Sequence, residues 1–111
     1  MAQSVADRLL DVLSAVMCGL VRSDDTDLSA RGLAILLAIA TMPGPHTVRG
    51  MAERLAISRP AITRTLDRLE ALGLVRRVSD PDDGRSVLVR PTKAGTAYVA
   101  RVGRLARGVA G

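Results

Sequence analysis

The stretch TVRGMAERLAISRPAITRTLDRLEALG, Thr47 to Gly73, carries two helical patterns with almost nothing between them. Thr47 can cap a short helix, VRGMAERLA, in which Met51 and Leu55 fall at i, i+4. After a short connection Ser58 can cap a longer helix, RPAITRTLDRLEAL. Pro60 is tolerated in its first turn, and Gly73 stands where a helix commonly ends on glycine. On a helical wheel Ile62, Leu66 and Leu69 share an inward face, with Thr65 at its edge. Pro60, Arg64 and Asp67 point away, flanked by Arg59, Thr63 and Arg68. The outer face therefore begins with arginine, proline and threonine and keeps its acids for later. This is the pattern of a helix-turn-helix pair.

Downstream the period changes from 3.6 to 2. LVRRVS (74–79) and SVLVRP (86–91) read as strands joined by SDPDDGRS, Ser79 to Ser86. Pro81, Asp82 and Gly84 supply turn geometry, with Gly84 expected at positive φ. TKAG is then a turn or cap before a last helix, TAYVARVGRLARGVA, weakened by Gly103 and Gly108. Upstream, Ser29 can cap ARGLAILLAIATM, an apolar helix suited to the core, which ends before Pro43, Gly44 and Pro45. The first helix runs from about Ser4 to Arg22. Its apolar positions, among them Val5, Leu9, Val12, Leu13, Val16 and Leu20, cover almost half its circumference. So wide an arc fits packing on its own domain and on a partner chain. The expected fold is mainly α with a small β-hairpin. A winged helix-turn-helix domain (28–93) stands between an N-terminal dimerisation helix (1–27) and a C-terminal helix (94–111).

Composition narrows the function. The 111 residues carry a formal charge of +5, and fifteen of the sixteen cations are arginine, whose planar fork suits phosphate and base edges. The charge is unevenly spread. Residues 1–28 hold two arginines against five aspartates, whereas residues 47–93 hold ten cations and six acids. A polyanion would be met by the middle of the chain and by Arg101, Arg104 and Arg107 near its end, although a solvated face is the commoner meaning of such a stripe. One tyrosine, no phenylalanine and no tryptophan argue against base stacking on aromatic platforms. One cysteine allows no internal disulfide, the N-terminus lacks a signal-peptide pattern, and no apolar run approaches the ~20 residues of a membrane span. The expectation is a soluble cytoplasmic protein. An enzyme is the least supported class: there is no nucleophile with a histidine partner, no carboxylate pair in an apolar context and no phosphate-cradling glycine loop. No catalytic residue, cofactor or metal site is expected.

In a helix-turn-helix the second helix normally lies in the major groove, and its N-terminal half reaches the bases. Arg59 and Arg64 can each bridge guanine O6 and N7, and Thr63 can touch a thymine methyl or a phosphate. The competing reading pairs Arg64 with Asp67 at i, i+3 on a solvated surface. Arg76 and Arg77 are adjacent in a strand and point to opposite faces, one toward phosphate and the other toward solvent. Thr47 and Ser58 can present hydroxyls and helix N-termini to phosphate as well as cap their helices.

The stretch from Thr47 through TKAG resembles the DNA-binding core of the MarR family of bacterial transcription regulators. The resemblance runs from about Leu28 to Tyr98 and includes the LDRLEALGLVRR passage and the DPDDGRS loop in order. It implies that Arg85 enters the minor groove and that Asp83 steadies it, which fits the negative potential of a narrow minor groove. The other reading of Arg85 is a solvated turn residue. The resemblance also implies a homodimer on a palindromic operator, most often a repressor, commonly released by a small ligand, oxidation or metal. Members usually continue past the fifth helix, so this chain is short at its C-terminus by comparison, and its first helix is expected to supply more of the dimer interface. Cys18 invites comparison with a peroxide-sensing branch, against an inert thiol. His46 is the only histidine, expected to be solvated in a Pro-flanked loop, and with Cys18 gives poor material for a metal site. The expected function is a sequence-specific, double-stranded-DNA-binding transcription regulator. The alternative is a winged-helix protein-interaction module, an antagonist of a full-length relative.

Overall fold

The computed structural model describes residues 3–23 and 26–110. Asp24 and Asp25, two of the five aspartates of residues 1–28, lie outside the described residues. The elements run α1 (Val5–Arg22), α2 (Ala30–Thr41), α3 (Val48–Leu55), α4 (Arg59–Ala71), β1 (Val75–Ser79), β2 (Val87–Pro91) and α5 (Lys93–Ala110). The chain forms two compact units. One spans Leu28–Tyr98, and the other joins the segments on either side of it.

Each helix starts at a hydroxyl residue. Ser4, Ser29, Thr47 and Ser58 accept from the N–H of Asp7, Gly32, Gly50 and Ala61 at 2.9–3.2 Å. Thr92 does the same for Gly95 at 3.0 Å ahead of α5. Each cap satisfies a donor that the helix cannot, worth typically about 1 kcal/mol.

The core of the Leu28–Tyr98 unit is aliphatic. Ile35 and Leu36 of α2, Ile62 and Leu66 of α4 are fully buried; Leu69, Val75 and Val89 are at most 2% exposed. Burying side chains of this size contributes roughly 1.5–3 kcal/mol each, which is what fixes α4 and the hairpin against α2. β1 and β2 pair antiparallel, with register from Val75 opposite Pro91 to Ser79 opposite Val87. The hairpin also gains a short third edge that the sequence pattern does not disclose. Thr47 bridges to Leu88, and the Val89 N–H donates to the His46 carbonyl at 2.9 Å. His46 is accordingly half-buried rather than solvated, with Nε2 3.0 Å from the Met42 carbonyl oxygen.

Two left-handed residues turn the chain around α4. Gly73, at φ 75°, lets the Leu74 N–H reach the Leu69 carbonyl at 2.9 Å and ends the helix. Ala56, at φ 55°, makes the corresponding turn between α3 and α4 without glycine's freedom. Its cost is about 1–2 kcal/mol, offset locally by the Ile57 N–H donating to the Ala52 carbonyl at 3.2 Å.

Helix α5 starts at Lys93, three residues before the start at Thr96 expected from the sequence. The reason is a close approach. A Cβ at Gly95 would strike the Leu74 carbonyl oxygen, so only glycine lets the first turn of α5 settle there. The Thr92 N–H donates to that same oxygen at 3.0 Å.

In the other unit Val16 and Leu20 of α1 are buried, as is Gly19, where a Cβ would lie 2.5 Å from Leu105 Cδ2. The remaining apolar arc is open. Val5, Leu9, Leu10, Leu13, Met17 and Val21 are 42–72% exposed. The six positions read as a dimer face therefore divide: Val16 and Leu20 belong to the chain's own core, Val12 is half-buried, and Val5, Leu9 and Leu13 face outward. No helix among the described residues is long and apolar enough to cross a membrane.

Candidate nucleic-acid interface

Helix α4 has the two faces its sequence implies. Ala61, Ile62, Leu66 and Leu69 are buried, while Arg59, Pro60, Thr63, Arg64, Asp67 and Arg68 are exposed. Thr65 is half-buried and donates its hydroxyl to the Ala61 carbonyl at 3.0 Å, which removes it from the outer surface. The outward set is cationic at the N-terminal end, where the helix also presents its positive dipole end.

The acidic loop is organised by its own carboxylates. Asp80 Oδ1 accepts the Asp82 N–H at 2.9 Å, and Asp83 Oδ1 accepts the Arg85 N–H at 3.1 Å. Asp83 Oδ2 also accepts from the Ser86 hydroxyl at 3.2 Å. The Asp80 N–H closes the loop onto the Ser86 carbonyl at 3.0 Å. These side-chain turns do the work expected of a left-handed glycine. Gly84 is not at positive φ; among the described glycines Gly73 alone is, and the expectation for Gly84 is corrected accordingly. The acid holds backbone rather than guanidinium. Arg85 has no ion-pair partner among the described residues.

Between the loop and α4 lies an open cleft of about 600 Å³, bordered by Thr47, Arg49, Arg59, Thr63, Arg77, Asp83 and Arg85. It brings together six of the residues singled out in the sequence. Arg49, in the first turn of α3, was missed there; its weak i, i+4 contact with Glu53 at 3.6 Å, both side chains exposed, leaves it open to solvent. Ser58, Pro60, Arg64 and Arg68 lie on the exposed face of α4 outside the cleft lining. The hydroxyls of Thr47 and Ser58 act as caps and each still has a proton to donate.

The two adjacent strand arginines have different surroundings. Arg76 is exposed and sits directly opposite Arg90 across the hairpin. Arg77 is held. Its Nη2 donates to Asp67 Oδ1 at 2.6 Å and to Glu70 Oε1 at 3.0 Å, and its backbone N–H donates to Glu70 Oε2 at 3.0 Å. The hydrogen bond from the Arg77 guanidinium, then that from its backbone, holds the Glu70 carboxyl below the usual carboxylate range. The same contacts, Glu70 first and Asp67 second, raise the Arg77 pKa. Asp67 thus accepts from Arg77 across elements rather than serving Arg64 along the helix. Glu70 was not singled out in the sequence, although its i, i+3 spacing from Asp67 puts both acids on one side of α4.

Elsewhere, Cys18 is exposed, and no three His, Cys, Asp or Glu side chains come together as metal ligands among the described residues.

Comparison with known proteins bears on the family and the fold. The model of the MarR family matches residues 26–86. An uncharacterized HTH-type transcriptional regulator of Bacillus subtilis, YcgE, is 34% identical over 56 residues, covering 50% of this chain. That match spans 36% of the relative's own length. Among solved structures, the regulator BldR of Sulfolobus solfataricus is 26% identical with a TM-score of 0.66, over 97% of this chain and 83% of that one. MepR of S. aureus, solved as a DNA complex, shares the fold at 18% identity, with a TM-score of 0.75 over 95% and 85% of the two chains.

Proposed function

Because the chain belongs to the MarR family, we propose that it is a sequence-specific DNA-binding transcription regulator, acting in the cytoplasm as a homodimeric repressor on a palindromic operator. The observation that carries this reading is the pairing of two unneutralised cationic surfaces about one cleft. Arg59 and Thr63 on α4 stand on one side, and Arg85, on a loop fixed by Asp80 and Asp83, stands on the other. Helix α4 enters the major groove, where Arg59 and Arg64 read guanine edges and Thr63 meets a methyl group or phosphate. Arg85 enters the adjacent minor groove, with its loop already ordered, so little entropy is lost when it binds. One such helix reads too few bases to find a genomic site, and two related by a two-fold axis, roughly 34 Å apart, suffice. The open apolar strip of Val5, Leu9, Leu10, Leu13, Met17 and Val21 supports self-association, since so many adjacent exposed aliphatics on one helix mark an interaction surface.

The test is a fluorescence-anisotropy titration against the duplex upstream of the protein's own gene, with a scrambled duplex as competitor, at several salt concentrations. Binding that survives competitor and weakens steeply with salt is expected, and Arg85→Ala should lower the slope of log K against log salt by about 0.9 per lost phosphate-level contact. Equal, weak binding to both duplexes would reject own-promoter recognition and move weight to a protein-interaction role.

A further inference from the structure

We propose that Glu70, with Asp67, holds Arg77 as a brace that sets the wing hairpin at a fixed angle to α4, making Glu70 a positioning residue for operator recognition. The proposal rests on the DNA-binding reading above and adds a residue that does not itself touch DNA. Glu70 uses both carboxylate oxygens on one residue of β1, one on the guanidinium and one on the backbone N–H. A side-chain contact alone would swivel; a carboxylate that also binds the strand's backbone fixes the strand itself. Asp67, one turn earlier on α4, binds the same Nη2 and fixes the arginine from a second direction. The Arg77 side chain is 23% exposed, against 58% for Asp67 and 41% for Glu70, so the arginine is the more enclosed partner.

The lever is long enough to matter. Arg77 lies opposite Val89, four residues from Arg85, which is about 13 Å of strand at ~3.3 Å per residue. A tilt of about 10° at Arg77 would carry the Arg85 guanidinium about 2 Å, well outside the ~0.5 Å range over which a hydrogen bond keeps its strength. Helix and wing address neighbouring grooves of one duplex, so an error in the angle between them costs simultaneous engagement rather than either contact alone.

The proposal makes a prediction opposite in sign to simple electrostatics. Glu70 is an exposed acid in a chain of net charge +5, and its removal on charge grounds alone should tighten binding to any duplex. The brace instead predicts that Glu70→Ala binds its operator about tenfold more weakly, while affinity for scrambled duplex is unchanged or raised. It predicts further that Arg85→Ala costs much less in the Glu70→Ala background than in the wild type, a coupling that a purely local loss would not show. Glu70→Gln, which keeps an acceptor for Arg77, should recover most of the discrimination. Because Glu70 is exposed, the variants are expected to fold, and far-UV circular dichroism checks this. In the same proteins without DNA, amide hydrogen exchange should show faster exchange at Arg77 and through residues 78–85 in Glu70→Ala. A parallel rise in affinity for both duplexes, or independent effects of Glu70 and Arg85, would overturn the proposal. If the wild type itself failed to discriminate, the regulator reading would fall. The exchange measurement would then decide the brace separately, with unchanged wing protection refuting it.

Discussion

Gly95→Ala is a substitution for which helix propensity and packing give opposite signs. Gly95 lies in the first turn of α5, and alanine there should gain about 1 kcal/mol from propensity alone. Its Cβ, however, would strike the Leu74 carbonyl oxygen, with Leu74 C at 3.1 Å and Leu36 Cδ1 at 3.4 Å. The obstacle is backbone and cannot rotate away. Relief requires the first turn of α5 to withdraw by more than an ångström, which breaks the 3.0 Å hydrogen bond from the Thr92 N–H to that oxygen and loosens Tyr98, now 4% exposed. The hydrogen bond is worth about 0.5–1.5 kcal/mol, and forced overpacking costs typically about 1–3 kcal/mol. The net expectation is a loss of about 2 kcal/mol, or about 8 °C or more in midpoint for a domain of this size. Gly108→Ala, in the same helix but with no atom within 4 Å of the added carbon, is the control. It should be neutral or slightly stabilising. Urea and thermal denaturation followed at 222 nm in both variants decide the matter, the wavelength being the usual helix signal. If Gly95→Ala matched or exceeded the wild type, the close approach of α5 to Leu74 would be wrong.

Four further outcomes are expected. Ala56→Gly should stabilise by about 0.5 kcal/mol in urea denaturation, the relief of a left-handed alanine exceeding the entropy that glycine adds to the unfolded chain. Asp83→Ala should weaken operator binding in the anisotropy assay despite removing an acid, because the Arg85 N–H and the Ser86 hydroxyl lose their acceptor; an increase in affinity would refute the ordering role. If the proposed homodimer forms through the open strip of α1, Leu9→Glu with Leu13→Glu should shift sedimentation velocity from dimer to monomer at fixed concentration while the circular dichroism spectrum stays the same, since both side chains are more than half exposed; an unchanged dimer, or a wild type that sediments as a monomer, would refute that role. Finally, the folded pKa of Glu70 is depressed, so its contribution is present above its ordinary value of 4.5 and is lost as pH falls through the folded value. The urea midpoint of the wild type should therefore keep its margin over Glu70→Gln from neutral down to about pH 4.5 and approach it only as the pH falls below 4.5 through the depressed folded value, Arg77 remaining charged throughout.

The architecture was legible in the sequence because each element there is specified more than once. α4 has a serine cap, an early proline, an inward Ile62–Leu66–Leu69 face and a terminal glycine, and any two of these would have placed it. The strands alternate and flank a turn-rich loop. What escaped notice depends on partners remote in sequence. The start of α5 is set by the Leu74 carbonyl, the strand-like pairing of His46 and Thr47 by β2, and the grip on Arg77 by two acids on another element. Periodicity records which way a side chain points and is silent about backbone that approaches from elsewhere. The same limit applies at Ala56, where alanine occupies a conformation that composition assigns to glycine or asparagine.

The distribution of acids in this basic chain has a physical logic at the proposed interface. A guanidinium that is to meet a polyanion gains least if it must first leave a carboxylate, because the ion pair it abandons is lost from the binding free energy. Asp80 and Asp83 avoid that loss by accepting N–H groups instead of pairing with Arg85, so they order the loop while its cation stays unneutralised. Asp67 and Glu70 take the other course and neutralise Arg77, the arginine whose place is between helix and wing. Arg59 and Arg64, like Arg85, have no ion-pair partner among the described residues. Under the proposed function the arginines divide by whether an acid holds the guanidinium. Arg59, Arg64 and Arg85, whose guanidinium groups no carboxylate binds among the described residues, are left to read DNA, and Arg77, gripped by Asp67 and Glu70, holds the readers in register.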